Sequence, residues 1–216
     1  NQWNSATRSA RSEFPAMALI VVDNVASAET VTIYDLDDVA APLWLQVTAT
    51  SQASPYHDFW RAGRVVNSIA MLNGVLCFGV DDNNDQEGLK VVDFAADTMA
   101  TRGTATGNEW NGYFDANIAN RNSTTKVLLG NTFNPIVHDN VNDVAMTVLE
   151  GSPIGALGLP IPTVAVACNS PGVSVIHSNG DVYNFTIGSY GSNAVAWNSP
   201  LAHTTQTQLL GTKTAC

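Results

Sequence analysis

One plan recurs along this chain: an apolar strand, a polar turn, then an alternating strand that ends on a polar residue. Ala18 to Asp23 is followed by Val31 to Asp35, and Leu76 to Asp81 is followed by Leu89 to Asp93. Three acidic positions keep one constant offset between the two copies: Asp23 with Asp81, Glu29 with Glu87, and Asp35 with Asp93. A tighter third copy runs from Val164 to Asn169 and on through Val173 to His177. Such self-similarity marks a fold made by repeating one supersecondary unit, which narrows the architecture more than any composition does.

The spacing inside each copy predicts strands. Thr30 to Tyr34, Gly172 to Ile176 and Asp181 to Ile187 alternate with period two, are rich in Val, Ile, Thr and aromatics, and are bounded by Gly, Asn, Asp or Pro. That pattern is the signature of short antiparallel strands, so the fold class expected is all-β. A second pattern precedes two of the copies. Asn67-Ser68-Ile69-Ala70-Met71 matches Asn142-Asp143-Val144-Ala145-Met146, and Asn193-Ala194-Val195-Ala196-Trp197 echoes both. Strands of such small apolar residues suit a crowded place where sheets converge, while Leu43 to Val47 and Val182 to Phe185 supply broader outer strands. The repeating unit is therefore a four-stranded meander.

Units of this kind, with turns such as Ser178-Asn179-Gly180-Asp181, resemble the blades of a β-propeller. Val141 to Thr186 is also similar to propeller-like domains of marine-phage tail and virion proteins, and the likeness is best over residues 65 to 187. The resemblance implies one propeller-like domain over residues 1–216. Its blades would lie at 16–48, 67–102 and 142–187, with an insertion at 103–139 and a closing strand and tail at 193–216. A propeller normally needs at least four blades. Three blades and an extra inner strand leave two outcomes. Either the chain is part of a larger propeller, or the last inner strand completes the first blade, in this chain or in a second copy as a homo-oligomer. The role implied is a binding or structural module of a phage tail or virion protein, in the virion or outside the cell. Its partners would be surface carbohydrate or other virion proteins. The rival is a hydrolase acting on ester or glycosidic bonds at a His/Asp site between blades or subunits, and a purely structural repeat is a third reading.

Charge removes other partners. Nine Lys and Arg against nineteen Asp and Glu give a net charge of −10, which offers no attraction to nucleic acid or an anionic membrane. Hydrophobic residues at 45% with only 13% charged exclude a disordered chain. The apolar runs at Ala16 to Val22 and Val164 to Cys168 are far shorter than the ~20 residues of a membrane helix. The polar stretch Asn1 to Ser12 shows no signal-peptide pattern. Cys77 and Cys168 lie in strand-like apolar runs and, with Cys216, make an odd set without a CxxC pair, so buried reduced thiols are expected.

Candidate chemistry is sparse. His57-Asp58 and His138-Asp139 are the two adjacent His–carboxylate pairs, the raw material of a base held by a carboxylate, with Ser54 or Ser68 as a nucleophile. Neighbours on an extended chain point opposite ways, so packing histidines are the alternative reading. His177 shares the strand-end column of Asp35 and Asp93, which would line a common channel or else terminate turns. Asp35, Asp93 and Asp143 are the candidate carboxylates for glycoside hydrolysis. Asp81, Asn83 and Asp85 would offer three oxygens to Ca²⁺, against the alternative of a solvated acidic hairpin, and no other cofactor is expected. Trp60, Trp110, Tyr113 and Trp197 are the candidate stacking platforms for sugars, or else buried anchors. Ser54 to Val65 is expected to hold a short helix.

Overall fold

The computed structural model describes residues 15–25, 29–49, 60, 62–81, 88–96, 98–104, 110–114, 126–128, 134–155, 158–169, 172–186, 192, 194–198 and 208–212. Every regular element among the described residues is a β-strand. The all-β expectation therefore holds. No helix among them is long and apolar enough to cross a membrane, and Trp60 and Ala62 to Val65, the described part of the expected short helix, are not helical. The chain forms two compact units, one from Asn1–Val66 with Gly112–Leu128, the other from Asn67–Asn111 with Leu129–Cys216.

In the first unit, β1 (Ala18–Asp23), β2 (Thr30–Asp35) and β3 (Leu43–Thr48) form an antiparallel sheet in the order β1-β2-β3. Val31 and Ile33 of β2 sit opposite Val47 and Leu45 of β3, and all four are buried. Trp44, on the other face of β3, is buried too. Leu19 and Val21 of β1 are exposed. β1 alternates half-buried and exposed residues whereas β5 is buried on both faces, and the register differs as well: Leu19 pairs with Tyr34, while its sequence counterpart Cys77 pairs with Val91 and not with the matching Val92. A one-residue slip sends a strand's side chains to opposite faces. The two copies thus agree in strand order and differ in which side chains they bury.

The second unit holds most of the buried residues. β4 (Val66–Leu72), β5 (Val75–Val80), β6 (Leu89–Asp93) and β7 (Thr98–Arg102) follow one another as antiparallel neighbours. β8 (Trp110–Phe114) and β9 (Lys126–Leu128), inside the expected insertion, pair with each other, and from Gly112 to Leu128 this hairpin belongs to the first unit. β10 (Val141–Thr147), β11 (Thr163–Cys168), β12 (Gly172–Ile176) and β13 (Val182–Thr186) make a four-stranded sheet in that order. β14 (Ala194–Asn198) pairs with β15 (Gln208–Thr212), a strand the repeat pattern does not announce.

Alternation along β10–β13 gives that sheet two apolar faces. Val144, Val164, Val166, Cys168 and Ile176 pack with Cys77, Leu89 and Ile136 in one core, while Ala165, Ala167 and Val173 pack with Val195 and Trp197 in another. β5 and β10 meet so closely that only a glycine fits at position 79, where an added Cβ would lie 2.3 Å from Val141 Cγ1. Of the small side chains predicted for converging strands, Ala70 packs against the first of these cores and Ala145 against the second.

Candidate functional site

The strand-end polar column resolves into turn chemistry. Asp35 Oδ1 accepts the backbone N–H of Asp37 at 2.8 Å, and Asp93 Oδ1 accepts those of Ala95 and Ala96 at 2.9 and 3.0 Å. These are side-chain-to-backbone turns, the local role that short acidic residues play best. His177 closes the β12–β13 hairpin through its backbone: its N–H donates to Asp181 O at 2.8 Å and its carbonyl accepts from Gly180 N at 2.8 Å. The turn reading holds at all three positions.

His138 and Asp139 do not act on each other. His138 Nδ1 accepts the N–H of Asn140 at 2.9 Å. Asp139 receives the Thr104 N–H on Oδ1 and the Thr104 hydroxyl on Oδ2. Among the described residues neither His138 nor His177 hydrogen-bonds a carboxylate side chain. The other pair, His57 and Asp58, lies outside the described residues, as does Ser54.

Asp143 is structural. Its Oδ1 accepts the Ser68 hydroxyl at 2.6 Å and the Val144 N–H at 2.9 Å, and its Oδ2 accepts the Val195 N–H at 2.9 Å. One carboxylate thus ties β4, β10 and β14 together. Two asparagines from the second sequence pattern reinforce that junction: Asn67 Nδ2 donates to Val141 O at 2.9 Å, and Asn142 Nδ2 donates to Ser192 O at 2.9 Å. Each bridges from the asparagine that opens one copy to the carbonyl of the residue just before the next copy's asparagine. The recurrence of Asn67, Asn142 and Asn193 in the sequence has this backbone-bridging use at its first two positions. Ser68, proposed as a nucleophile, serves in the same network.

The Ca²⁺ candidate is described only at Asp81, whose Oδ1 accepts from Asn140 Nδ2 at 3.1 Å; Asn83 and Asp85 lie outside the described residues. No group of three His, Cys, Asp or Glu side chains among the described residues is placed to hold a metal ion.

The cysteines are free and buried at Cys77 and Cys168. Burial pushes the Cys77 thiol up to about 12, partly opposed by Arg102. Burial likewise raises Cys168 to about 12, opposed by the backbone of His138 and reinforced by Asp139. A thiol so disfavoured as thiolate is no nucleophile. Because these groups bind their protons more tightly folded than unfolded, their stabilising effect is complete below pH ~9 and is lost as pH rises toward about 12. Native protein at pH 8 is expected to leave both thiols unreacted with a disulfide reagent until denaturant is added. A Cys77→Ala, Cys168→Ala variant should lose less stability than wild type between pH 9 and 11 in urea titrations.

The expected stacking platforms are corrected in part. Trp60 is 1% exposed, so its ring is a core element and offers no face to a ligand. Trp197 is half-buried, packs against the alanine-rich core, and donates its indole N–H to Ala145 O at 3.2 Å. The side chains of Trp110 and Tyr113 lie outside the described residues. Among the described residues the exposed aromatics are instead Tyr183 and Phe185 on β13, each 54% exposed. They sit opposite Val175 and Val173, two residues apart on one face of the strand at the edge of its sheet. The alternation Val182-Tyr183-Asn184-Phe185-Thr186 contained the signal, because an i, i+2 aromatic pair must share a face. The face is apolar further in, where Val195 and Trp197 of β14 pack on Ala165, Ala167 and Val173. The chain matches no protein-family model, no curated protein and no solved structure.

Proposed function

We propose that this chain is a propeller-like binding module of a phage tail or virion protein, and that it recognises surface carbohydrate through the Tyr183–Phe185 face. Two runs of four successive neighbouring strands built on one sequence plan, β4–β7 within a longer sheet and β10–β13, support the blade reading. The observation that carries the functional reading is the aromatic pair. Aromatic rings left half in water beside an apolar floor are what a sugar's C–H face stacks against, and β13 offers two. A binding role also agrees with the polar residues, since His177, Asp139 and Asp143 hold turns and strand junctions and leave no dyad for hydrolysis among the described residues.

Oligosaccharide binding measured by saturation-transfer NMR is the test. Tyr183→Ala and Phe185→Ala are each expected to weaken binding by about 0.5–1.5 kcal/mol while leaving thermal stability near wild type, because both side chains are half in solvent. Binding that ignores both substitutions would refute this assignment of the face.

A further inference from the structure

We infer that the Tyr183–Phe185 face takes neutral sugar rings and rejects sulfated, phosphorylated or carboxylated ones; this rests on the carbohydrate reading above. A Tyr or Phe side chain offers about 150–250 Å², so two rings at 54% exposure present together roughly 200 Å². A specific protein interface needs about 800 Å² on each partner. The patch falls well short of a protein's footprint and matches that of one or two sugar rings. Along a strand, residues two apart are separated by about 7 Å, which sets the two rings side by side and not one above the other.

Asp181 continues the odd-numbered face of Tyr183 and Phe185, held there by the His177 N–H on its carbonyl at 2.8 Å. Its Oδ2 accepts Asn179 Nδ2 at 2.8 Å and its N–H donates to Asn179 Oδ1 at 3.1 Å. Both residues are exposed, so a carboxylate pinned in place stands beside the rings, ready to accept hydroxyl hydrogens. Asn184, on the opposite face, is already engaged, accepting from Ser174 Oγ and donating to Pro135 O.

From residue 127 to residue 212 the sequence contains no Lys and no Arg, while Asp139, Asp143, Glu150 and Asp181 lie in that span. All of β10–β14 falls within it. The described cations of the β6–β7 ladder are buried and turned inward, Lys90 toward Thr101 Oγ1 and Arg102 toward Asn134 O. Anionic groups are held by Arg, Lys or helix N-termini. An acidic glycan on this face would meet the Asp181 carboxylate and no counter-charge supplied by its own sheet. A neutral ring meets two aromatic faces and a strong acceptor.

A glycan array carrying matched neutral, sialylated and sulfated oligosaccharides, probed with the full chain, decides it. Neutral glycans are expected to bind, with each of Tyr183→Ala and Phe185→Ala weakening them roughly threefold to tenfold. Asp181→Lys is expected to admit acidic glycans and weaken neutral ones. Thermal melts within a degree or two of wild type confirm that these surface variants are folded. Acidic glycans bound as well as neutral ones by wild type would overturn the inference and leave the carbohydrate reading standing. Silence across the array would overturn both. Tyr183-dependent capture of a protein partner in place of any glycan would do the same.

Discussion

Replacing Gly88 with alanine is expected to cost about 4 kcal/mol and lower the unfolding midpoint by roughly 10 °C. Two separate penalties meet at this residue. Its φ of +52° lies in the left-handed region, where a side chain costs ~1–2 kcal/mol. The added Cβ would also lie 2.1 Å from the carbonyl oxygen of Arg102 and 3.1 Å from its carbonyl carbon. Those are backbone atoms of the neighbouring strand, so no rotamer change relieves the contact. Relief requires β6 and β7 to part, which threatens the Leu89–Arg102 pairing and the 3.0 Å bond from Val80 N to Gly88 O. Gly180→Ala supplies the control. Its φ is +93°, but the new methyl meets open space, so strain alone acts and the cost should stay near 1 kcal/mol. Urea titration of both variants checks the difference. Equal costs at the two sites would show that the Arg102 contact is not the source.

Strand identity was legible because it depends on period alone. Thr30 to Tyr34 and Gly172 to Ile176 announce themselves by alternation, and both are strands. Register was not legible, because a slip of one residue leaves the sequence pattern intact while reversing every side chain. Burial was not legible either: Leu19 and Val21 are exposed, while their counterparts Cys77 and Gly79 lie on a strand covered on both faces. β15 escaped notice for another reason: Gln208-Leu209-Leu210-Gly211-Thr212 carries no alternation and a single β-branched residue, Thr212. The candidate site divides the same way. The turn roles of Asp35 and Asp93 follow from local chemistry and could be stated in advance. Which aromatics reach solvent depends on sheet order, since Tyr183 and Phe185 are exposed by lying at the edge of a sheet while Trp60 is enclosed. Tertiary position cannot be read from residue type.

The Asp143 junction shows how that tertiary information is stored, and it yields the second large prediction. Three donors from three strands converge on one half-buried carboxylate, with the Ser68 hydroxyl at 2.6 Å and the Val144 and Val195 N–H groups each at 2.9 Å. Hydrogen bonds to a charged acceptor contribute ~1.5–3 kcal/mol each. Partial exposure and the remaining Ser68 Oγ contact to Val144 N lower the total. Asp143→Ala is therefore expected to cost about 3 kcal/mol. The Val195 amide would lose its acceptor, so its hydrogen exchange should accelerate far more than that of Val166 in the neighbouring core strand. Asp143→Asn separates shape from charge. Its oxygen still accepts from Val195 and its amide donates to Ser68 once the hydroxyl turns round, but that amide faces the Val144 N–H, which keeps only Ser68 Oγ at 3.1 Å, so the cost should fall to about 2 kcal/mol. The ordering matters because the sequence alone made Asp143 a candidate acid for glycoside hydrolysis. A catalytic carboxylate is commonly removable without loss of stability, whereas a strand clamp is not. Should Asp143→Ala melt within 0.5 kcal/mol of wild type, a marginal effect of surface size, the three bonds would be incidental and the carboxylate would be free for chemistry.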